Sequence, residues 1–522
     1  MSDSFSKLSL ALINVFEQQE KELNDEKITV NDLVSKVAYF YEKFRTAMDY
    51  GSEETIPRRA IGRMLSRMLF LGRNSKSLAN DLVRELIWAG YFPNATVPQS
   101  LIERVTHSID LYLTLEQRII KKKSLKGDDI NEFILEILSC EIFYVLIPNK
   151  QKEAVSNFLF QIMKNSVEIE QDDQQTRDIQ VFIAVRKSFA RDDIAFLRYK
   201  LFTQIFGRLT EDNLEKVVTN FENGYKEIKK QLSYKGKEKI LNHIKKKTPP
   251  FLILYDILSE DKGYIKTLAL NDEALRQRVF DACDKRYRII KRKVRTAIVR
   301  SVIFILFTKA IIGLSIEGTF ESIVFKKVQW SSIFLNTVIP PLIMAGVGIS
   351  IKTPNEENSK AIYEDIRIIL FEENPMLLNV LVIKKSQEKS MSLRDYIFSI
   401  LWLLSIMLTF GIIWFILGIL HFNIISKFIF VFFIAIISFL SYRIYQTAHS
   451  YTVVRKKNIL TPIFEFFFIP IIRVGQSLTE GFSQINFILL IIDFIIEAPF
   501  KGLIGFFEQW FLFVATKREE LE

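Results

Sequence analysis

Residues 284–316, DKRYRIIKRKVRTAIVRSVIFILFTKAIIGLSI, join a dense cationic run to the first segment apolar enough to cross a bilayer. Lys285, Arg286, Arg288, Lys291, Arg292, Lys293 and Arg295 occupy about three helical turns. Such a cluster holds its end of a spanning helix in the cytoplasm, and these side chains are the expected contacts to anionic lipid. Everything before the stretch then reads as a cytoplasmic domain, residues 1–292, and everything after it reads as membrane.

Toward the N-terminus, apolar residues recur at helical spacing almost throughout. Within 33–44, Leu33, Val37, Tyr41 and Phe44 succeed one another at steps of four and three and share one face. Pro57 stands at an early helical position, and Arg59, Arg63 and Arg67 form a stripe opposite Ile61, Met64 and Leu65. The stripe reads as a solvated face, with an anion-binding surface as its alternative. Breaks are expected at 91–98, 121–127 and 147–149 and at Pro249-Pro250, with longer helices over 154–163, 179–206 and 211–232. Residues 1–280 are expected to fold alone as a soluble helical domain.

Toward the C-terminus, 297–316 goes out, 317–330 turns as a short loop and 331–351 returns. A long charged segment, 352–395, has room within 362–383 for a short helix and a strand-like run, NVLVIK. Residues 396–420 cross outward and 424–442 come back, so the transmembrane domain occupies 293–458. Four crossings place both termini, the 352–395 segment and the basic run near Arg455–Lys457 on the cytoplasmic side of a plasma (inner) membrane. In the last region, 459–522, the stretch 459–472 is short and carries Pro462, Glu465 and Pro470. Asp493, Glu497 and Lys501 come next, at steps of four. A thin charged stripe on a wide apolar face predicts an amphipathic helix lying in the interface, and the alternative is a fifth crossing with a proton or cation relay. The fold class read from the sequence is all-α: a cytoplasmic multi-helix domain, a polytopic four-helix membrane domain and interfacial C-terminal helices.

Chemical motifs are sparse in the 522 residues, which carry a net charge of +10. Cys140 and Cys283 are the two cysteines, far apart, and His107, His243, His421 and His449 have no ligand spacing. No phosphate loop, zinc-protease or nucleophile-elbow pattern is present. No catalytic constellation, metal or cofactor is therefore expected. The anomaly is Lys309, 12 residues into the first crossing. Asn336 and Thr337 stand at similar depth in the returning segment, and Pro340 and Pro341 lack the N–H groups their carbonyls would bond in a regular helix. These residues read as a lock, Lys309 bonding the bend, or as a gate, with snorkelling of Lys309 as the bland alternative.

Three functions are compatible with these features. The first is a membrane-anchored helical interaction scaffold with a protein partner on its cytoplasmic domain. The second is a transporter or channel component, which with so few crossings calls for a homo-oligomer. The third is a tether for nucleic acid or ribosomes through Arg59, Arg63 and Arg67 or through 235–247. Nucleic acid is the least expected partner, because basic and aromatic residues do not alternate as a stacking platform.

Overall fold

The structure, a computed structural model, describes residues 5–17, 25–47, 55–70, 74–122, 127–170, 172–260, 266, 271–324, 326, 328–375, 377, 379–383, 393–454, 461–483, 506–507, 509–510 and 513–514. These residues are helical almost throughout. Among the described residues, twelve α-helices precede the membrane part: α1 (Lys7–Glu17), α2 (Asp32–Ala47), α3 (Ile56–Phe70), α4 (Ser75–Trp88), α5 (Ser100–Lys121), α6 (Gly127–Leu146), α7 (Lys150–Met163), α8 (Gln174–Val185), α9 (Ile194–Phe206), α10 (Leu214–Leu232), α11 (Lys237–Lys245) and α12 (Thr248–Glu260). Asn74, Asn149, Asp173 and Asp193 cap α4, α7, α8 and α9 by accepting from backbone N–H groups of the first turn. Pro249 and Pro250 sit in the first turn of α12, where their missing N–H groups have no helical partner to lose.

The helices α1 to α12 contribute to two buried cores. One gathers α3 to α6, α9 and α10 around residues such as Ile61, Leu82, Val105, Ile137 and Phe202. The other joins α1, α7, α8, α11 and α12 to later parts of the chain. The helix expected over 179–206 is divided, because a π-helical turn, Arg186–Ala190, ends at Arg191 with φ of +58° before α9 begins. Arg63 and Arg67 are largely buried. Arg63 pairs with Glu42 of α2, and Arg67 meets Glu85 of α4 at 2.6 Å, so the stripe ties α3 to its neighbours.

Among the described residues, four helices are long and apolar enough to cross a membrane. The first is the outer part of α13 (Asp272–Ile312), a 41-residue helix that leaves the second core and continues through a π-helical turn, Gly313–Glu317, into α14 (Gly318–Val324). The others are α15 (Trp330–Ser350), α17 (Leu393–Ile419) and α18 (Ile424–Ala448). The turn expected over 317–330 is thus helical to Val324, and α15 passes through Pro340 and Pro341 without a break. Gly348 lets α15 approach α13 closely, since a Cβ there would lie 2.6 Å from Ile298. A further helix, α19 (Thr461–Ser483), runs along α17 and α18, and Gly475 presses on the backbone of Ala435, where any side chain would collide.

The segment between α15 and α17 is not a free loop. It forms α16 (Glu356–Phe371), whose Ile362, Ile366, Ile369 and Leu370 enter the second core against α1, α12 and α13. Complete burial of such side chains contributes about 1.5–3 kcal/mol each. The segment then forms β2 (Leu381–Ile383), which pairs in parallel with β1 (Val167–Ile169). Polar contacts fix the same seat: Lys247 reaches both oxygens of Asp365 at 2.7 Å, and Ser9 Oγ donates to the Ile369 carbonyl at 3.0 Å. Asn358, buried, donates to Tyr287 Oη and the Tyr451 carbonyl, both at 2.8 Å, and accepts from the N–H groups of Val453 and Val454. It knots α16, α13 and the chain beyond α18 together.

Candidate intramembrane polar site

Lys309 on α13 is fully buried, and its Nζ lies 3.3 Å from Glu317 Oε1 and 4.9 Å from the ring centre of Phe433. The pairing depends on the π-helical turn between them. Eight residues of regular α-helix would set the two side chains about 80° apart around the axis, and one inserted residue brings them to within about 20°. Gly313 begins that turn because α15 lies close: a Cβ would stand 3.1 Å from Thr337 Oγ1.

Three helices meet at the Glu317 carboxylate. Asn336 Nδ2 of α15 donates to its two oxygens at 2.7 and 2.8 Å and to the Ser426 carbonyl at 3.2 Å. Ser426 Oγ of α18 donates to Oε2 at 3.0 Å. Lys309, Glu317, Asn336 and Ser426 are all 0% exposed. Asn336 Oδ1 alone of these polar atoms has no hydrogen-bond partner among the described residues. One turn further, Glu321 accepts from Asn423 Nδ2 at 2.6 Å and from the Gln329 N–H at 2.7 Å, while Asn423 Oδ1 caps α18 at Ser426. The arrangement can hold the outer ends of α13, α15 and α18 in one register, because separating them would strand charges in a low-dielectric interior.

The geometry corrects the expected lock. Lys309 and Asn336 do share a cluster, but Glu317 joins them, in place of the expected bond from Lys309 to the carbonyls of Asn336 and Thr337 at the bend made by Pro340-Pro341. Both prolines are buried within α15, and Thr337 packs on Gly313. Glu317, Ser426, Asn423 and Glu321 are the members that hydropathy and spacing did not single out. The available signal was an acid eight residues beyond an intramembrane lysine with a glycine between them. Asp493, Glu497 and Lys501 lie outside the described residues.

The basic cluster divides in two. Arg286 pairs with Asp256 and Lys285 with Glu260, both on α12, and Arg288 lies 3.2 Å from Asp284. Lys291, Arg292, Lys293 and Arg295 are exposed where α13 turns apolar. At Arg286 the hydrogen bonds to the Asp256 carboxylate prevail over burial and hold the guanidinium above its ordinary value.

A second buried ionic cluster lies among the helices that precede α13. Arg186, 2% exposed, donates to both Glu153 oxygens at 3.0 and 2.9 Å, to Asp192 Oδ2 at 2.6 Å and to Tyr144 Oη at 3.2 Å. Lys200 meets Glu153 at 2.9 Å. Burial pushes the Asp192 carboxyl up against the pull of Arg186, whereas at Glu153 burial is outweighed by the charges of Arg186 and Lys200 together, which hold the carboxyl down. Among the described residues no three His, Cys, Asp or Glu side chains are grouped to hold a metal ion. Comparison with protein-family models, curated proteins and solved structures finds no match.

Proposed function

We propose that the protein is a membrane-anchored helical scaffold whose cytoplasmic body and spanning helices form one rigid unit. The observation that carries this reading is the seat of α16 and β2: the segment between two spanning helices completes the core of the cytoplasmic body. A partner docked on that body is thereby held at a fixed height and orientation above the bilayer. The Lys309–Glu317 cluster serves as the lock of the anchor, since Glu317 has both oxygens engaged by side chains of its own chain. On this reading both termini and the 352–395 segment face the cytoplasm, and Lys291, Arg292, Lys293 and Arg295 contact anionic headgroups. The pairing of Arg63 and Arg67 speaks against the nucleic-acid tether.

Affinity purification of the full chain from its native membrane in mild detergent tests the scaffold. A protein retained in near-stoichiometric amount is expected, and it should survive the paired change Lys309→Met with Glu317→Leu. The buried Lys309–Glu317 pair is also the one observation favouring transport. Absence of a stoichiometric partner, together with ion flux in liposomes that the paired change abolishes, would replace the scaffold by the transporter. For topology, a cysteine at the exposed Lys326 should react with an impermeant maleimide from outside, and one at Lys360 only after permeabilisation. Glu317 is unsuitable for that experiment because it is buried.

A further inference from the structure

Gly348 draws α15 onto α13, and Gly475 draws α19 onto α18. With each helix committed to a different neighbour, a space remains between α15 and α19 along α18. It is a cavity of about 440 Å³, walled by Ile343 and Val347 of α15, Ile413 of α17, Ile434 and Ile437 of α18 and Ile471 of α19. That volume is within the range of sites that hold one small molecule between helices.

Shape and lining limit what can occupy it. From Phe430 at one end to Tyr445 at the other the cavity follows α18 for about 22 Å, more than half of the roughly 30 Å hydrocarbon core. Among the described residues no charged side chain lines it. Ser441 Oγ already donates to Met344 Sδ at 3.3 Å, and Tyr442 and Tyr445 stand at one end, which leaves Ser438 as the hydroxyl along the rest of the wall. A bound water needs two to four polar partners, so water, ions and polar solutes find too few here. An apolar chain meets aliphatic and aromatic groups along its whole length. Leu342 and Ile412, next in sequence to the lining Ile343 and Ile413, are 63% and 47% exposed, so the apolar belt that faces the bilayer runs to the cavity's edge. At the other end Tyr442 and Tyr445 are half-exposed, and the exposed Lys352 follows the lining Ile351. Tyrosine and lysine are the residues that meet headgroups.

We propose that this cavity holds one acyl chain of a membrane phospholipid, its methyl end at Ile413 and Phe430 and its headgroup at Tyr442, Tyr445 and Lys352. The chain fills the space between α15 and α19, so that one lipid belongs to the packing of the helices. The site rests on the reading of these helices as spanning and is independent of the scaffold's partner.

The test uses the full chain in phospholipid nanodiscs doped with phosphatidylglycerol that carries a diazirine in one acyl chain. Photolysis is expected to label the buried Ile434 and Ile437 saturably, besides exposed belt residues such as Phe415. Native mass spectrometry in detergent should find one phospholipid retained through washes that strip the rest. Val347→Phe and, separately, Ser438→Leu place side-chain volume in the cavity. Each should lower retention and the labelling of Ile434 by about tenfold or more, the factor for displacing some two methylenes. Labelling of Phe415 should stay unchanged, and neither variant should melt lower in lipid-free detergent. If both variants misfold, the map on the unmodified chain decides. Label at Phe415 with none at Ile434 or Ile437 overturns the site, as does full retention by both folded variants. Displacement by palmitate but not by unlabelled phosphatidylglycerol overturns the phospholipid. A disulfide from Ser438→Cys to a second copy, or to a cysteine introduced within residues 484–505, makes protein the occupant and likewise overturns the proposal.

Discussion

Lys309 and Arg186 are both buried cations, yet they solve burial in opposite ways. Lys309 has one carboxylate, and neutral Asn336 and Ser426 complete the shell of that carboxylate. Arg186 spreads its charge over Glu153, Asp192 and Tyr144, with Lys200 sharing Glu153. In the membrane part a second ion would add cost, so one pair plus neutral polar groups is the economical arrangement. Among the helices that precede α13, Glu153 is 29% exposed, and water shares the load. Removing one member should therefore be a sharp, repairable lesion in the first cluster and a diffuse, poorly repairable one in the second.

The contrast between the two regions is tested most severely by cutting them apart. Fragment 1–280 lacks α16, so the α1 and α12 surface that receives Ile362, Ile366, Ile369 and Leu370 lies open. The expected outcome is a helical fragment that binds hydrophobic dye and keeps only the unfolding transition of the first core, which lies wholly within it. A fragment that binds no dye and unfolds with both cores intact would mean that the second core closes without its membrane-derived helix.

Next in size, Glu317→Leu strands Lys309 and is expected to destabilise the chain in detergent by about 3–5 kcal/mol, the cost of breaking a buried pair. Adding Lys309→Met should recover most of the loss. If thermal melts show the two changes simply additive, the side chains are not coupled. Arg186→Met falls at the lower end, about 3 kcal/mol, since Glu153 keeps Lys200 and some water. Here Asp192→Asn added to Arg186→Met should give only partial recovery, and full recovery would erase the difference between the clusters.

The smallest effect concerns a buried group with no countercharge. Burial first, and Lys246 second, hold His243 below the ordinary histidine value of 6.5, and its Nε2 has no partner among the described residues. The unfolded chain then takes up the proton at higher pH than the folded one, so stability is full above 6.5 and declines as pH falls through it. His243→Gln should flatten that acid slope in urea titrations near neutral pH. An unchanged slope would assign the acid loss to other groups.

These clusters also explain what could be read in advance. The crossings and Lys309 were legible because one charge stands out in an apolar run. Glu317 was not, because its pairing needs a one-residue π insertion that no hydrophobic period records. Arg63, Arg67 and Arg186 were hidden for the opposite reason: on amphipathic helices an arginine bound for Glu42, Glu85 or Glu153 looks like any solvated arginine. The stripe Ile362, Ile366, Ile369 and Leu370 was visible at helical spacing, and such a face needs a partner wherever it occurs.

The seat of α16 also sets an order of events during synthesis. Helices α1 to α12 leave the ribosome first, but α16 and β2 emerge only after α13 and α15. At ordinary translation rates the interval from the end of α13 to β2 is on the order of ten seconds. During it the second core waits with its apolar face uncovered, because α16 follows α13 and α15 in the chain. On the scaffold reading, completion of that core would report insertion of the first pair of spanning helices, and a chain that failed to insert would display an unfinished surface to the cell's quality-control proteases.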